Sequence, residues 1–274
     1  MSRERSGGAF DAPLMCSLLA ECLGGAGRAG EWVRMLVNGF RPRPDPLRTR
    51  AASVGQLTTL TRIPAPSLRL LRDAPDLDTY VQRWNALDAT WSVPVRTRLM
   101  RTSDGNLHLH RHRFDGLPPQ PHQDAAVTAL MAAHLRGQGL HVSRPDAAKP
   151  LELTLTLGEP AATTDFFPPG DATPSVWSTL TSAPDAHWTL ARTATRLGVS
   201  ARTLQRQLAR EGVAIRQLKV GARVTLASGA LIADAPSVTE LAHALGFSDS
   251  AHFSHAFHRA SGVTPSRYRA IAMA

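Results

Sequence analysis

The sequence predicts an α+β N-terminal region, mainly helical with a few strands, followed by an all-α C-terminal domain with two helix-turn-helix units. Three observations carry that expectation. Before about residue 145, helical periodicity is mixed with strand-like alternation. A stretch rich in Pro, Gly, Thr and Asp, GEPAATTDFFPPGDATP (158–174), then interrupts both patterns. Beyond it the chain reads as helices alone, and it repeats itself once.

Taken in order, LMCSLLAECL (14–23) and EWVRMLVNGF (31–40) place apolar residues at helical spacing. The first is short and carries Glu21, so it reads as an amphipathic helix rather than a signal peptide or membrane span. RPRPDP (41–46) is expected to be a loop, because proline supplies no N–H to a helix or a ladder. DLDTYVQRWNAL (76–87) and HQDAAVTALMAAHLRG (122–137) are again helical. Between them, VPVRTRLMRTSDGNLHLHRHRF (93–114) alternates on both sides of Asp104-Gly105, a dipeptide suited to a tight hairpin turn. LELTLTL (151–157) alternates cleanly and is predicted as a third strand. The proline-rich stretch reads as an interdomain linker. The expected division is therefore 1–160, a linker over 161–173, and 174–274.

The repeat emerges when ARTATRLGVSARTLQRQL (191–208) is set against TELAHALGFSDSAHFSHAF (239–257). Ala194 and Ala242, Leu197 and Leu245, Gly198 and Gly246, and Ser200 and Ser248 pair at an offset of 48. Leu204 with Phe253 and Leu208 with Phe257 pair at 49, so the second copy holds one extra residue at its turn. Each copy describes two helices joined sharply. In the second, Val238, Leu241, Ala242 and Leu245 form one apolar stripe. Gly246 suits the left-handed end of that helix, and Phe247 plugs the crevice. Ser248 is expected to cap the next helix, which Phe253 and Phe257 anchor. The first copy uses Leu190, Ala194 and Leu197, then Gly198-Val199, the cap Ser200, and the anchors Leu204 and Leu208. AIRQLKVGARVTLASGALIAD (214–234) reads as a connecting helix, weakened by Gly221 and Gly229.

Charge says where this duplication faces. The chain has 31 Lys and Arg against 22 Asp and Glu, a formal net charge of +9, which points to a polyanionic partner. Lys149 and Lys219 are its only lysines. Residues 172–274 hold 11 basic against 5 acidic side chains, and residues 1–171 hold 20 against 17. Net charge is therefore about threefold denser in the duplicated part. Two ordinary helical hairpins would satisfy the pattern alone; the shared Gly and cap spacing in the basic part favours DNA binding. Cys16 and Cys22 form no CxxC or zinc-type pattern, which fits a reducing, cytoplasmic setting.

SVTELAHALGFSDSAHFSHAFHRASGVTPSRYR (237–269) resembles the DNA-binding domain of the AraC/XylS family of bacterial transcriptional regulators. The resemblance is carried by Ala242, Gly246-Phe247-Ser248-Asp249, Phe253, Phe257, Gly262, Thr264-Pro265 and Tyr268-Arg269, and it covers about the last 100 residues. It implies seven helices holding two helix-turn-helix units, with recognition helices in successive major grooves. It implies reading positions at Arg202, Gln205 and Arg206 in the first unit, and at Ser250, Ala251, Ser254 and His255 in the second. Chemistry agrees for the first set: arginine bonds bidentately to guanine O6/N7 and glutamine to adenine N6/N7. Spacings of three and four residues also put that set on one helix face. The second set departs from the family, which often has arginine in place of His255 and lysine or arginine in place of His258. Gly262-x-Thr264-Pro265 is expected to end the recognition helix and start the last one.

Such regulators pair this domain with an N-terminal effector or dimerisation domain. DLDTYVQRWNALDATWSVPVRTRLM (76–100) is similar to the helical sensor type, so residues 1–160 are expected to be sensor-like. The partners implied are double-stranded promoter DNA, RNA polymerase, an unknown small-molecule effector and a second copy of the chain. No cofactor, metal or membrane association is expected. An enzyme tethered to DNA, alkyltransferase or amidase-like, is the competing class. Against it, neither cysteine sits in a Pro-Cys-His context, and no GxSxG elbow or Gly-rich phosphate loop is present. A non-specific architectural protein would show little preference between a cognate site and random DNA.

Two histidine groups invite a metal reading. His108, His110 and His112 share one face of a strand, with Asp104 and Asp115 near in sequence. A solvated polar face is the expected outcome. His252, His255 and His258 step around a helix by about 60° each, so they do not converge. His255 is expected on the groove-facing side, where its protonation would add a charge toward DNA. Tyr80, Trp84 and Trp91 are expected to fill a core rather than line a ligand pocket.

Overall fold

The computed structural model describes residues 33, 34, 36, 37, 59–61, 65–90, 95–114, 121–142, 151–157, 162–164, 172–184, 187–233 and 237–274. The helix expected at 14–23, the loop at 41–46, both cysteines, Trp91 and Asp115 lie outside the described residues. Residues 33, 34, 36 and 37, within the expected 31–40, are helical. No helix among the described residues is long and apolar enough to cross a membrane.

The chain divides into two compact units, one of residues 1–24, 41–63 and 71–164, the other of 25–40, 64–70 and 165–274. In chain order the first holds β1 (Thr59–Thr61). Next comes α1 (Pro66–Arg72), whose residues 66–70 belong to the second unit. The first unit continues with α2 (Leu77–Asp88), β2 (Val95–Arg101), β3 (Leu107–Arg113) and α3 (Pro121–Gly137). It closes with β4 (Leu140–Val142), β5 (Glu152–Leu153), β6 (Leu155–Leu157) and β7 (Ala162–Thr164).

Helix α2 starts at Asp76, whose side chain accepts the Thr79 N–H at 2.7 Å, and it buries Tyr80, Trp84 and Leu87 along one stripe. Trp84 Nε1 donates to the Thr97 carbonyl at 2.6 Å. The Asn85 amide donates to the Leu99 carbonyl and accepts the Leu99 N–H, both at 2.8 Å, so a side chain completes β2 on the edge where no strand among the described residues lies beside it. The hairpin forms as expected: β2 and β3 run antiparallel from Val95↔Arg113 to Arg101↔Leu107, with Gly105 at φ 86 in the turn.

LELTLTL departs from the single strand expected. Residues 152–153 pair with β3, whereas 155–157 pair with β4. The side-chain carbonyl of Asn106 accepts the Leu155 N–H at 3.1 Å, which takes that N–H out of the first ladder and lets the chain change sheets. Residues 162–164, inside the stretch read as linker, pair in parallel with β1.

The second unit contains, among its described residues, α4 (Ala172–Ser182), α5 (Leu190–Arg196), α6 (Ala201–Arg210), α7 (Ile215–Ile232), α8 (Val238–Ala244), α9 (Ser250–Ser261) and α10 (Pro265–Ala272). Val176, Leu180, Trp188, Ala194, Leu204, Leu208 and Leu218 bury together with Val33 and Val37 from upstream. At the far end, Phe253, Phe257 and Tyr268 stack edge to face, and the Tyr268 hydroxyl donates to the Pro66 carbonyl at 2.7 Å. Gly221 has a packing reason to stand inside α7: a Cβ there would meet the Trp177 ring of α4 at 3.0 Å.

Candidate nucleic-acid interface

Both copies of the repeat turn in the same way. In the first, Thr189 caps α5, and the helix ends at Gly198 with φ 70. The Val199 N–H then reaches back to the Ala194 carbonyl at 3.0 Å and the Gly198 N–H to Thr195 at 3.1 Å, the bond pair of a Schellman ending. In the second, Ser237 and Glu240 form a reciprocal capping box on α8, and Gly246 has φ 72. The Phe247 N–H reaches the Ala242 carbonyl at 2.9 Å and the Gly246 N–H reaches His243 at 2.8 Å. Ala194 and Ala242, 1% and 0% exposed, are small enough for each recognition helix to cross closely.

The caps of the recognition helices differ from expectation at one of the two. Ser200 caps α6 by accepting the Thr203 N–H at 3.1 Å. The cap of α9 is Asp249, not Ser248: its carboxylate accepts the His252 N–H at 2.7 Å. Ser248 donates to that carboxylate at 2.9 Å instead. The extra residue of the second copy therefore lies ahead of the cap, and the offset is 49 from the cap onward. Hydrogen bonds from the His252 N–H and the Ser248 hydroxyl hold the Asp249 carboxyl below the usual carboxylate range.

With this register, Arg202, Gln205 and Arg206 correspond to Ala251, Ser254 and His255. On α6 the anchors Leu204 and Leu208 are buried, and Arg202, Gln205 and Arg206 are exposed together on the opposite side. On α9 Phe253 and Phe257 are buried, Ala251 and His255 are exposed, and Ser250 and Ser254 are half-buried. The two faces match in position but not in charge.

His255 does not stand alone. A guanidinium nitrogen of Arg259 lies 2.6 Å from its Nε2. Guanidinium has no acceptor, so in this contact Arg259 is the donor. Arg259 puts a cation on this helix face, a residue the sequence reading left out although i, i+4 spacing from His255 was there to be seen.

The three histidines of α9 have different surroundings. His252 stands edge-on to Phe247, with centroids 5.4 Å apart and planes at 87°, and its Nδ1 is 3.1 Å from the Ser248 hydroxyl. His258 is exposed. On β3, His112 and His110 stand opposite Arg96 and Arg98, and His108 opposite Met100, so arginines share the histidine face. Among the described residues, no three His, Cys, Asp or Glu side chains are placed to hold a metal ion.

The carboxylates among the described residues of the second unit are tied to helix starts. Glu211 accepts from the Ala172 and Thr173 N–H groups at 2.8 and 2.9 Å. Glu240 accepts the Ser237 N–H at 2.9 Å, and Asp249 caps α9. Each of these charges lies against a positive dipole end, leaving exposed arginines to set the surface potential.

Residues 193–271 match a family described as a helix-turn-helix domain. The urease operon transcriptional activator of Escherichia coli is 37% identical over 90 residues, which are 33% of this chain and 30% of that protein. The HTH-type transcriptional regulator VqsM of Pseudomonas aeruginosa is 37% identical over 90 residues, 33% of this chain and 28% of its own. The chain thus matches about a third of the length of these curated relatives. A crystal structure of a DNA-binding transcriptional dual regulator from Escherichia coli K-12 aligns with TM-score 0.37 and 24% identity, covering 38% of this chain and 93% of that one. The matched segment, with its two capped and glycine-terminated turns, is a helix-turn-helix domain.

Proposed function

We propose that the chain is a sequence-specific, effector-responsive transcriptional regulator that reads double-stranded promoter DNA with α6 and α9 in two successive major grooves. The observation that supports this most is the duplication of one turn geometry, with an exposed face opposite the anchors in each copy. Phosphate neutralisation supplies affinity, and side chains on the two faces supply specificity. Arg202, Gln205 and Arg206 read purine edges in the first groove; Ser250, Ala251, Ser254 and His255 face the second. Residues 1–160 serve as effector or dimerisation domain and 161–173 as linker. RNA polymerase and a second copy of the chain are the protein partners, and the cytoplasm is the compartment. No specific observation favours an enzyme tethered to DNA.

Selection of duplexes from a random pool by the full chain, followed by footprinting, tests the reading. Arg206→Ala is expected to lose about 1–3 kcal/mol at one base position and to relax preference there. An Arg206→Ala protein with the wild-type footprint and preference would refute the assignment.

A further inference from the structure

Three cations form a stripe along the connector. Arg216, Lys219 and Arg223 stand at i, i+3 and i+7 of α7, on one face of a helix that contains no Asp or Glu. Arg216 is exposed, and Lys219 and Arg223 are half-buried. Among the described residues none of the three forms an ion pair. Lys219 Nζ donates to the Trp188 carbonyl at 2.9 Å, and the Arg223 guanidinium lies 5.5 Å over the Phe247 ring.

Burial lowers the proton affinity of Lys219, the Arg223 charge lowers it further, and burial does the same to Arg223. Two like charges are therefore partly withdrawn from water beside one another, with no carboxylate paired to either among the described residues. Arg216 adds a cation to the first turn of α7, where the helix dipole disfavours one. The Trp188 carbonyl and the Phe247 ring brace Lys219 and Arg223 but neutralise neither charge, which an external anion would do.

Position says which anion. Trp188 directly precedes Thr189, the cap of α5, and Phe247 sits in the turn leading to α9. In helix-turn-helix docking the first helix crosses the DNA backbone, and the start of the recognition helix enters the groove. The stripe links these two places, one from each unit, and α7 packs against both α4 and α9.

We infer that Arg216, Lys219 and Arg223 hold phosphodiester oxygens of the DNA strand running between the two major grooves, so that the connector is a third contact surface. This inference rests on the DNA-reading function proposed above. Arg223, braced on Phe247, presents a fixed planar donor set, and Lys219 a mobile point charge. Contacts of this kind position the protein and carry no base information.

Fluorescence anisotropy of the full chain over a salt series tests it, with one duplex selected by the chain from a random pool and one unselected duplex. Lys219→Gln keeps a donor for the Trp188 carbonyl but removes the charge. It is expected to lower the slope of log affinity against log salt by about 1 and to weaken both duplexes by the same factor. Arg216→Gln, at an exposed position, is expected to do the same, while Lys219→Arg keeps the wild-type slope. Wild-type slopes in both glutamine variants overturn the stripe and leave the reading helices standing. Wild-type protein without salt-dependent binding to either duplex overturns the function and the stripe together.

Discussion

At the second turn, the Ser248 hydroxyl spends its proton on the Asp249 carboxylate, and it is that carboxylate which meets the free N–H of α9. Sequence alignment of the two copies placed serine on serine, because both residue types cap helices and nothing in the pattern says on which side of the cap the extra residue falls. Asp249→Ala is expected to cost about 1 kcal/mol of stability, and Ser248→Ala clearly less, in urea melts of the full chain. Equal losses would return the capping role to Ser248. A second residue-scale prediction concerns Asp88, which burial pushes from 3.8 up to about 6, against the lowering effects of the Thr97 N–H and of Arg96 and Arg111. The folded chain then binds this proton more tightly than the unfolded chain, so stability falls as pH rises from 3.8 through about 6. Asp88→Asn keeps an oxygen to accept the Thr97 N–H and removes that slope. Its urea midpoint should gain on wild type at pH 7 more than at pH 4, and an equal difference at the two values would contradict the assignment.

Elements whose partners are local were legible in the sequence. The stripe Tyr80, Trp84 and Leu87 marks α2, and Asp104-Gly105 marks the hairpin, since both signals act within a few residues. Elements defined by distant partners were not. LELTLTL alternates throughout, yet its two halves belong to different sheets, because Asn106, far away in sequence, takes the Leu155 N–H. The parallel pairing of β1 with β7 joins segments about a hundred residues apart that carry no pattern beyond a few β-formers. The same division holds at the interface. The exposed face of α6 follows from the anchors Leu204 and Leu208 alone. The Arg216, Lys219 and Arg223 stripe was visible as spacing, but that no carboxylate among the described residues pairs with it needed the packed helices.

At the scale of the whole molecule, the proposed function would have the connector set how two reading helices share one duplex. Helix α7 runs unbroken for 18 residues, about 27 Å at 1.5 Å per residue, with Gly221 pressed against Trp177 rather than acting as a hinge. Trp188, Leu218 and Ala222 bury with the first helix-turn-helix unit, while α7 also packs on α9 and α10 of the second. A rigid link of this kind fixes both rotation and separation of the recognition helices, which on B-DNA should match one turn, roughly 34 Å. Inserting about 5 bp between the two halves of a selected site turns the second half to the opposite side of the duplex, and binding should fall to that of a single half-site. Inserting about 10 bp restores the side but doubles the separation, and a rigid connector predicts that affinity stays at the half-site level. A hinged connector predicts recovery at the longer insertion. Anisotropy titrations on the three duplexes separate the two, and recovery at about 10 bp would show that α7 bends or unwinds when the protein binds.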